Sequence, residues 1–141
     1  MSYRVKGLKL TLSAAVICGC TMMGWAQYRY FDEYTFSRTS WKEEKIRLDN
    51  FALHLLETPD RTGYIAYFVK KNGAKKVALG RARRAQKYII KKYRIRVARV
   101  VVLFGGISPE ASIVLEPRPS SDPPPKFGLT GPSRQRSAAS P

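Results

Sequence analysis

The apolar positions of this chain change period several times, and each change marks an element. Tyr28 to Phe36 alternates aromatic and polar residues, which predicts an edge strand. Ser40-Trp-Lys-Glu43 has the form of a capping box, in which the serine oxygen accepts from a backbone N–H three residues on and the glutamate reaches back. Leu48, Phe51, Ala52 and Leu55 then recur at helical spacing, with Leu56 beside them, until Pro59 stops the helix. Gly63-Tyr-Ile-Ala-Tyr-Phe-Val69 is a short β-branched and aromatic run, which is strand chemistry. Val77, Ala78, Ala82, Ala85, Tyr88 and Ile89 form a second helical stripe between Lys76 and Tyr93. Val97 to Phe104 is a near-continuous apolar run, expected of a strand buried on both faces. Gly105-Gly106 reads as a turn between strands, with Gly106 to Pro109 leading into a last strand at Ala111 to Leu115.

Strand, helix and strand with short links predict a right-handed crossover between parallel strands over residues 63 to 106. The full order is β-α-β-α-β-β. The predicted fold class is therefore α+β, with two helices packed on one face of a small mixed β-sheet.

Charge changes this picture most in the crossover. Thirteen of the thirty residues from Lys70 to Arg99 are Lys or Arg and none is acidic, in a chain of formal net charge +16. Because the apolar stripe is intact, the cations decorate a packed unit and do not form a solvated run. Lys76, Arg83, Arg84, Lys87 and Lys91 fall mostly off the stripe, and Arg94, Arg96 and Arg99 cluster at the helix exit. Such a patch favours polyanions and gains affinity by releasing their counterions.

The first residues bear on the compartment. Arg4, Lys6 and Lys9 precede an apolar stretch from Leu10 to Met23, which has the size of a signal-peptide core, and Gly24-Trp25-Ala26 suits cleavage before Gln27. A second reading takes Ile17-Cys18-Gly19-Cys20 as a lipoprotein processing box with Cys20 as the lipid-attachment residue. A third keeps the segment as an uncleaved anchor. All three export the domain, to the periplasm or the outer membrane. Cleavage at Ala26 leaves 23 cations against 10 acids, a net charge of +13, and removes both cysteines. Disulfides, thiolate metal sites and a cysteine nucleophile are thereby excluded from the mature chain. Residues 27–116 are expected to be one domain, and residues 117–141, rich in Pro and Ser, a disordered tail.

Further motifs weigh against catalysis. His54 is the only histidine and lies inside the first helix, no Gly-x-Ser-x-Gly elbow occurs, and the Glu43-Glu44 pair belongs to a helix start, where negative charge complements the dipole. No enzyme activity, cofactor or metal is expected. Tyr64, Tyr67 and Phe68 beside a basic helix could stack nucleic-acid bases, but they fit a core and no nucleic-acid motif accompanies them, so nucleic acid is expected only as a non-specific partner.

The residues of the crossover resemble those of the OmpA-like C-terminal domain, the periplasmic module that holds outer-membrane proteins to peptidoglycan. That family's pattern is Gly, Asp three later, Arg-Ala at eighteen and nineteen, and Tyr-Leu seven after the Arg. Here Gly63 is followed at those offsets by Ala66, by Arg81-Ala82 and by Tyr88-Ile89; Ile95, Arg99-Val100 and Gly105-Gly106 are similar to its closing strand. The likeness covers about residues 28 to 116 and takes in Phe31-Asp32 before the first helix. It implies an OmpA-like fold, peptidoglycan as partner and Arg81 as a ligand contact; the charge of the helix adds Arg83, Arg84 and Lys87 as ligand-binding neighbours and another anionic envelope polymer or lipid as the other expected partner. It also shows a departure. The family's Asp and Arg together grip the diaminopimelate of the peptide stem, and this chain has Ala66 in place of the Asp, with Ala74 and Ala78 at the usual Asn and Ser positions. The competing expectation is an OmpA-like scaffold for protein–protein interaction that binds no wall polymer.

Overall fold

The structure is a computed structural model that describes residues 31–127. The expected signal segment with Cys20, and residues 128–141 of the expected tail, lie outside the described residues. Four strands and two helices follow one another as β1 (Asp32–Thr35), α1 (Trp41–Glu57), β2 (Arg61–Lys70), α2 (Lys75–Tyr93), β3 (Val100–Ser108) and β4 (Ser112–Pro119). The sheet order is β1-β4-β2-β3, with β2 and β3 parallel and the other pairs antiparallel. This is the α+β arrangement expected, with both helices on one face of a mixed sheet.

Local chemistry accounts for the elements. Ser40 caps α1 as a full capping box, its Oγ accepting from the Glu43 N–H at 3.3 Å while the Glu43 carboxylate accepts from the Ser40 N–H at 2.8 Å. The apolar stripe of α1 buries Leu48, Phe51, Ala52 and Leu55, and α2 buries Ala78, Ala82, Ala85 and Ile89. These meet Ile65, Tyr67 and Val69 of β2 and Ile113 and Leu115 of β4 in one core. The small side chains of α2 let it lie close to the sheet. Gly63 serves the same end at α1: a Cβ there would come within 2.6 Å of Leu55 Cδ1 and 2.9 Å of Phe51 Cζ. Val77, expected in the stripe, is 65 % exposed because it sits in the first turn, off the line of Ala78 and Ala82.

Three expectations are corrected. Val97–Arg99 is a 3-10 turn, and the strand that follows is an edge among the described residues, not a strand buried on both faces: β4 takes the other side of β2, leaving β3 one described neighbour, with Phe104 and Ile107 exposed. Gly105-Gly106 is not a turn between strands but lies within β3, at a bulge where the register with β2 shifts between Tyr67 and Phe68. The Phe68 ring occupies the space a Cβ at position 105 would fill, 2.4 Å away, and Gly106 takes φ 125°. The reversal itself falls at Pro109 and Glu110.

The third correction concerns the tail, expected to begin at residue 117. β4 continues through Pro117 and Pro119, opposite Gly63 and Arg61. Prolines are tolerated here because alternate residues of β4 turn their backbone groups away from β2: Leu115 accepts from the Phe31 N–H on that side, and positions 117 and 119 turn to the same side, so the ladder with β2 needs no N–H from either. Beyond β4, Phe127 packs edge-on against Phe68 at 5.3 Å, on the sheet face away from the helices.

Candidate functional site

The seam between α1 and α2 gathers the acidic residues that neutralise part of the basic helix. Glu44 is fully buried one turn into α1. Its Oε1 accepts from the Tyr34 hydroxyl at 3.1 Å, and its Oε2 accepts from Arg81 Nη2 at 3.1 Å and Arg84 Nη2 at 3.0 Å. Burial first, and then the Glu44 charge, push the Tyr34 hydroxyl far above the ordinary tyrosine range, so it stays a donor. Arg81 also donates to the carbonyls of Phe36 (3.1 Å) and Thr39 (2.9 Å), and its guanidinium lies 4.4 Å from the Phe36 ring centre. With Arg81 Nε also donating to Glu44 Oε2 at 3.3 Å, four hydrogen bonds of Arg81 are spent on the β1–α1 connection and on Glu44.

One turn further along, Asp49 accepts from the Tyr88 hydroxyl at 2.8 Å and from Lys92 Nζ at 2.9 Å. Partial desolvation opposes its ionisation, but hydrogen bonds from Lys92, Tyr88 and Tyr93 together outweigh this and hold its carboxyl below the ordinary range. The hydrogen bonds that the Lys92 ammonium itself donates, first to the Tyr88 hydroxyl at 2.9 Å and then to Asp49, raise it above its ordinary value. Trp41 stands between the two acidic points, edge-on to Tyr88 at 5.6 Å, with the Arg84 guanidinium 4.0 Å over its ring.

Above this seam runs a shallow open groove of about 470 Å³, lined by Trp41, Arg84, Lys87, Tyr88, Lys91 and Lys92. Lys87 and Lys91 stand one helical turn apart on its rim, both exposed. Among the described residues, Lys76, Arg83, Lys87 and Lys91 have no acidic partner within salt-bridge distance. The groove holds cations, two aromatic edges and no free carboxylate, so it suits an anion attached to an apolar or sugar-like body.

The expected ligand residues do not form one cluster. Arg84 and Lys87 reach the groove. Arg81 turns inward to Glu44, and Arg83 is exposed outside the groove lining. Ala66 and Arg81 are not brought together: Ala66 lies with Phe68 and Val114 on the sheet face away from the helices, whereas Arg81 lies over the helical face. Arg99, expected at a cationic exit cluster, also points inward and donates to the carbonyls of Leu55, Thr58 and Arg61 at 2.7–3.1 Å. Tyr64, Tyr67 and Phe68 are buried, as a core requires, and offer no stacking platform. His54 packs its ring 5.2 Å from Phe31.

Sequence reasoning missed Trp41, Glu44 and Asp49. A signal for Glu44 existed. It falls in step with Leu48, Phe51 and Leu55, so a carboxylate stands on the buried stripe and had to find a cation. Trp41 carried no such mark, because its neighbours come from the other helix. No protein-family model matches the chain, and no curated protein matches it.

Proposed function

We propose that the chain is an exported, non-enzymatic envelope protein that binds an anionic polymer through the groove between α1 and α2, with peptidoglycan the first polymer to test. The observation that carries this reading is the pairing of unneutralised Lys87 and Lys91 with the Trp41–Tyr88 aromatic step. The cations supply long-range attraction and counterion release, and the aromatic edges supply apolar contact between successive charges. Arg84 contributes a charge whose direction is set by Glu44 and Trp41. OmpA-like ancestry remains part of the proposal, as the source of the fold and of the cell-wall partner.

The test is sedimentation of the purified chain with peptidoglycan at low and high salt, beside a Lys87→Glu/Lys91→Glu variant. The reading expects retention that falls steeply with salt and drops about tenfold in the variant, since surface charge reversal acts mainly through such attraction. A second reading is favoured by the inward turn of Arg81 and its separation from Ala66: the fold is a scaffold for protein–protein interaction that binds no wall polymer. Retention that ignores the charge reversal, or no retention at either salt, selects this second reading.

A further inference from the structure

We infer that the free edge of β3, with the cationic rim of α2 above it, is a docking site for an extended acidic segment of a partner protein, which adds as a fifth strand. β3 is the last strand of the order β1-β4-β2-β3, so among the described residues no strand lies beyond it. It runs for nine residues, Val100–Ser108, and carries the exposed Phe104 and Ile107. A row of unpaired N–H and C=O groups of this length is a template for another strand unless something blunts it. The blunting is local. Gln86 Nε2 donates to the Val100 carbonyl at 2.7 Å at the start of the strand, and the bulge at Gly105 bends its far part.

The occupant follows from what overhangs this edge. Lys75 Nζ lies 4.0 Å over the Phe104 ring, and Gln86 reaches Val100, so α2 runs back along β3 from its middle to its start. Lys76, Leu79, Arg83 and Gln86 follow at helical spacing between those two anchor points, which places Lys76 and Arg83 on the side of the helix nearest the edge. Neither has an acidic partner among the described residues. The stretch from Val100 to Phe104 spans about 13 Å at about 3.3 Å per residue. An added strand places every second side chain on the helix-facing side. The rim therefore selects acidic residues at alternate positions, with β-branched or apolar residues between them. A second copy of this chain suits the edge poorly, because pairing β3 with β3 sets one Lys75–Lys76–Arg83 rim against another in a chain of net charge +16. This site is separate from the groove and does not depend on the groove's ligand.

The test uses a short synthetic peptide of alternating valine and glutamate, followed by fluorescence anisotropy and by hydrogen exchange of the β3 amides. The site predicts saturable binding, slowed exchange at β3, and about tenfold weaker binding to a Lys76→Glu/Arg83→Glu variant that melts at the parent temperature. N-methylation of alternate peptide amides should abolish binding, because it removes the strand hydrogen bonds while keeping the charge. Equal binding of the N-methylated peptide overturns the proposal in favour of plain charge attraction. Protection of the same amides in a concentration-dependent dimer without peptide overturns it in favour of a second copy. The Lys87→Glu/Lys91→Glu variant should bind the peptide normally; loss there would place the peptide in the groove and also overturn the proposal.

Discussion

The two long sides of α2 carry the same residue types and put them to opposite uses. On the side facing α1, Arg81, Arg84 and Lys92 meet Glu44 and Asp49, and the charges are consumed in holding the helices together. Away from that contact, Lys76 and Arg83 towards β3 and Lys87 and Lys91 on the groove rim meet no acid among the described residues and stand in solvent. The difference is one of helical phase. A step of one residue turns the side chain by about 100°, so Arg83 and Arg84, adjacent in sequence, belong to different surfaces. Net charge alone therefore overstates what the helix offers to a ligand. Three of the eight α2 cations, alike in sequence, are spent on these pairs.

The largest break in this comparison should come from Glu44→Leu. It leaves Arg81 facing a buried space without its anion and removes the acceptor of Tyr34, and should cost about 3 kcal/mol, since removing one partner of a buried ion pair strands the other. Urea unfolding would measure it, with Arg83→Ala as the outer-side control expected within about 0.5 kcal/mol of the parent. Next is Arg99→Ala, which frees the carbonyls of Leu55, Thr58 and Arg61 at the end of α1 and should cost about 2 kcal/mol by the same measurement. An Arg99 variant of unchanged stability would show that the exit cluster is solvent-facing after all.

Reversal at Lys87 and Lys91 should invert the pattern: stability within about 0.5 kcal/mol of the parent, but polymer retention down about tenfold at low salt. The smallest effect belongs to Asp49. Its folded carboxyl titrates below the ordinary 3.8, so its contribution is present above that pH and is lost as pH falls through the lower folded value. Asp49→Asn should therefore be less stable than the parent at neutral pH, by about half a kcal/mol as for other partly exposed pairs. The difference should close in strong acid, which unfolding at pH 7 and pH 2 would show.

Much of the fold could be read from periodicity because each pattern agreed with its environment. The capping box at Ser40 and Glu43, the Leu48–Leu55 stripe and the Ala78–Ile89 stripe are local signals that nothing in the tertiary structure opposed. The strand errors share a cause. An apolar run such as Val97–Phe104 tells that residues avoid water or pair with neighbours, not how many neighbours there are. β4 inserted between β1 and β2 and left β3 at the edge. The glycines were misplaced for a similar reason. Gly105 reads as a turn residue, yet it is required because the Phe68 ring, from another strand, lies against it. The prolines at 117 and 119 suggested a tail, and a strand is acceptable there because their positions turn away from the ladder with β2.

The candidate site was legible in part. Arg84 and Lys87 were visible as off-stripe cations, whereas Arg81 was assigned outward and turned inward. No count of charges could separate them, because the deciding partner, Glu44, lies on another helix and 37 residues away.

What the sequence by itself determined is the set of elements, their order, the parallel crossover and the excess of cations on α2. These depend on interactions within a few residues or on composition, and short-range periodicity encodes both. The tertiary structure alone decided which strand became an edge, which cations were neutralised and which aromatic rings met across the seam. Those outcomes rest on contacts between residues far apart in the chain. A side chain's charge or shape can be known from its letter, but its partner depends on where the helices and strands come to lie.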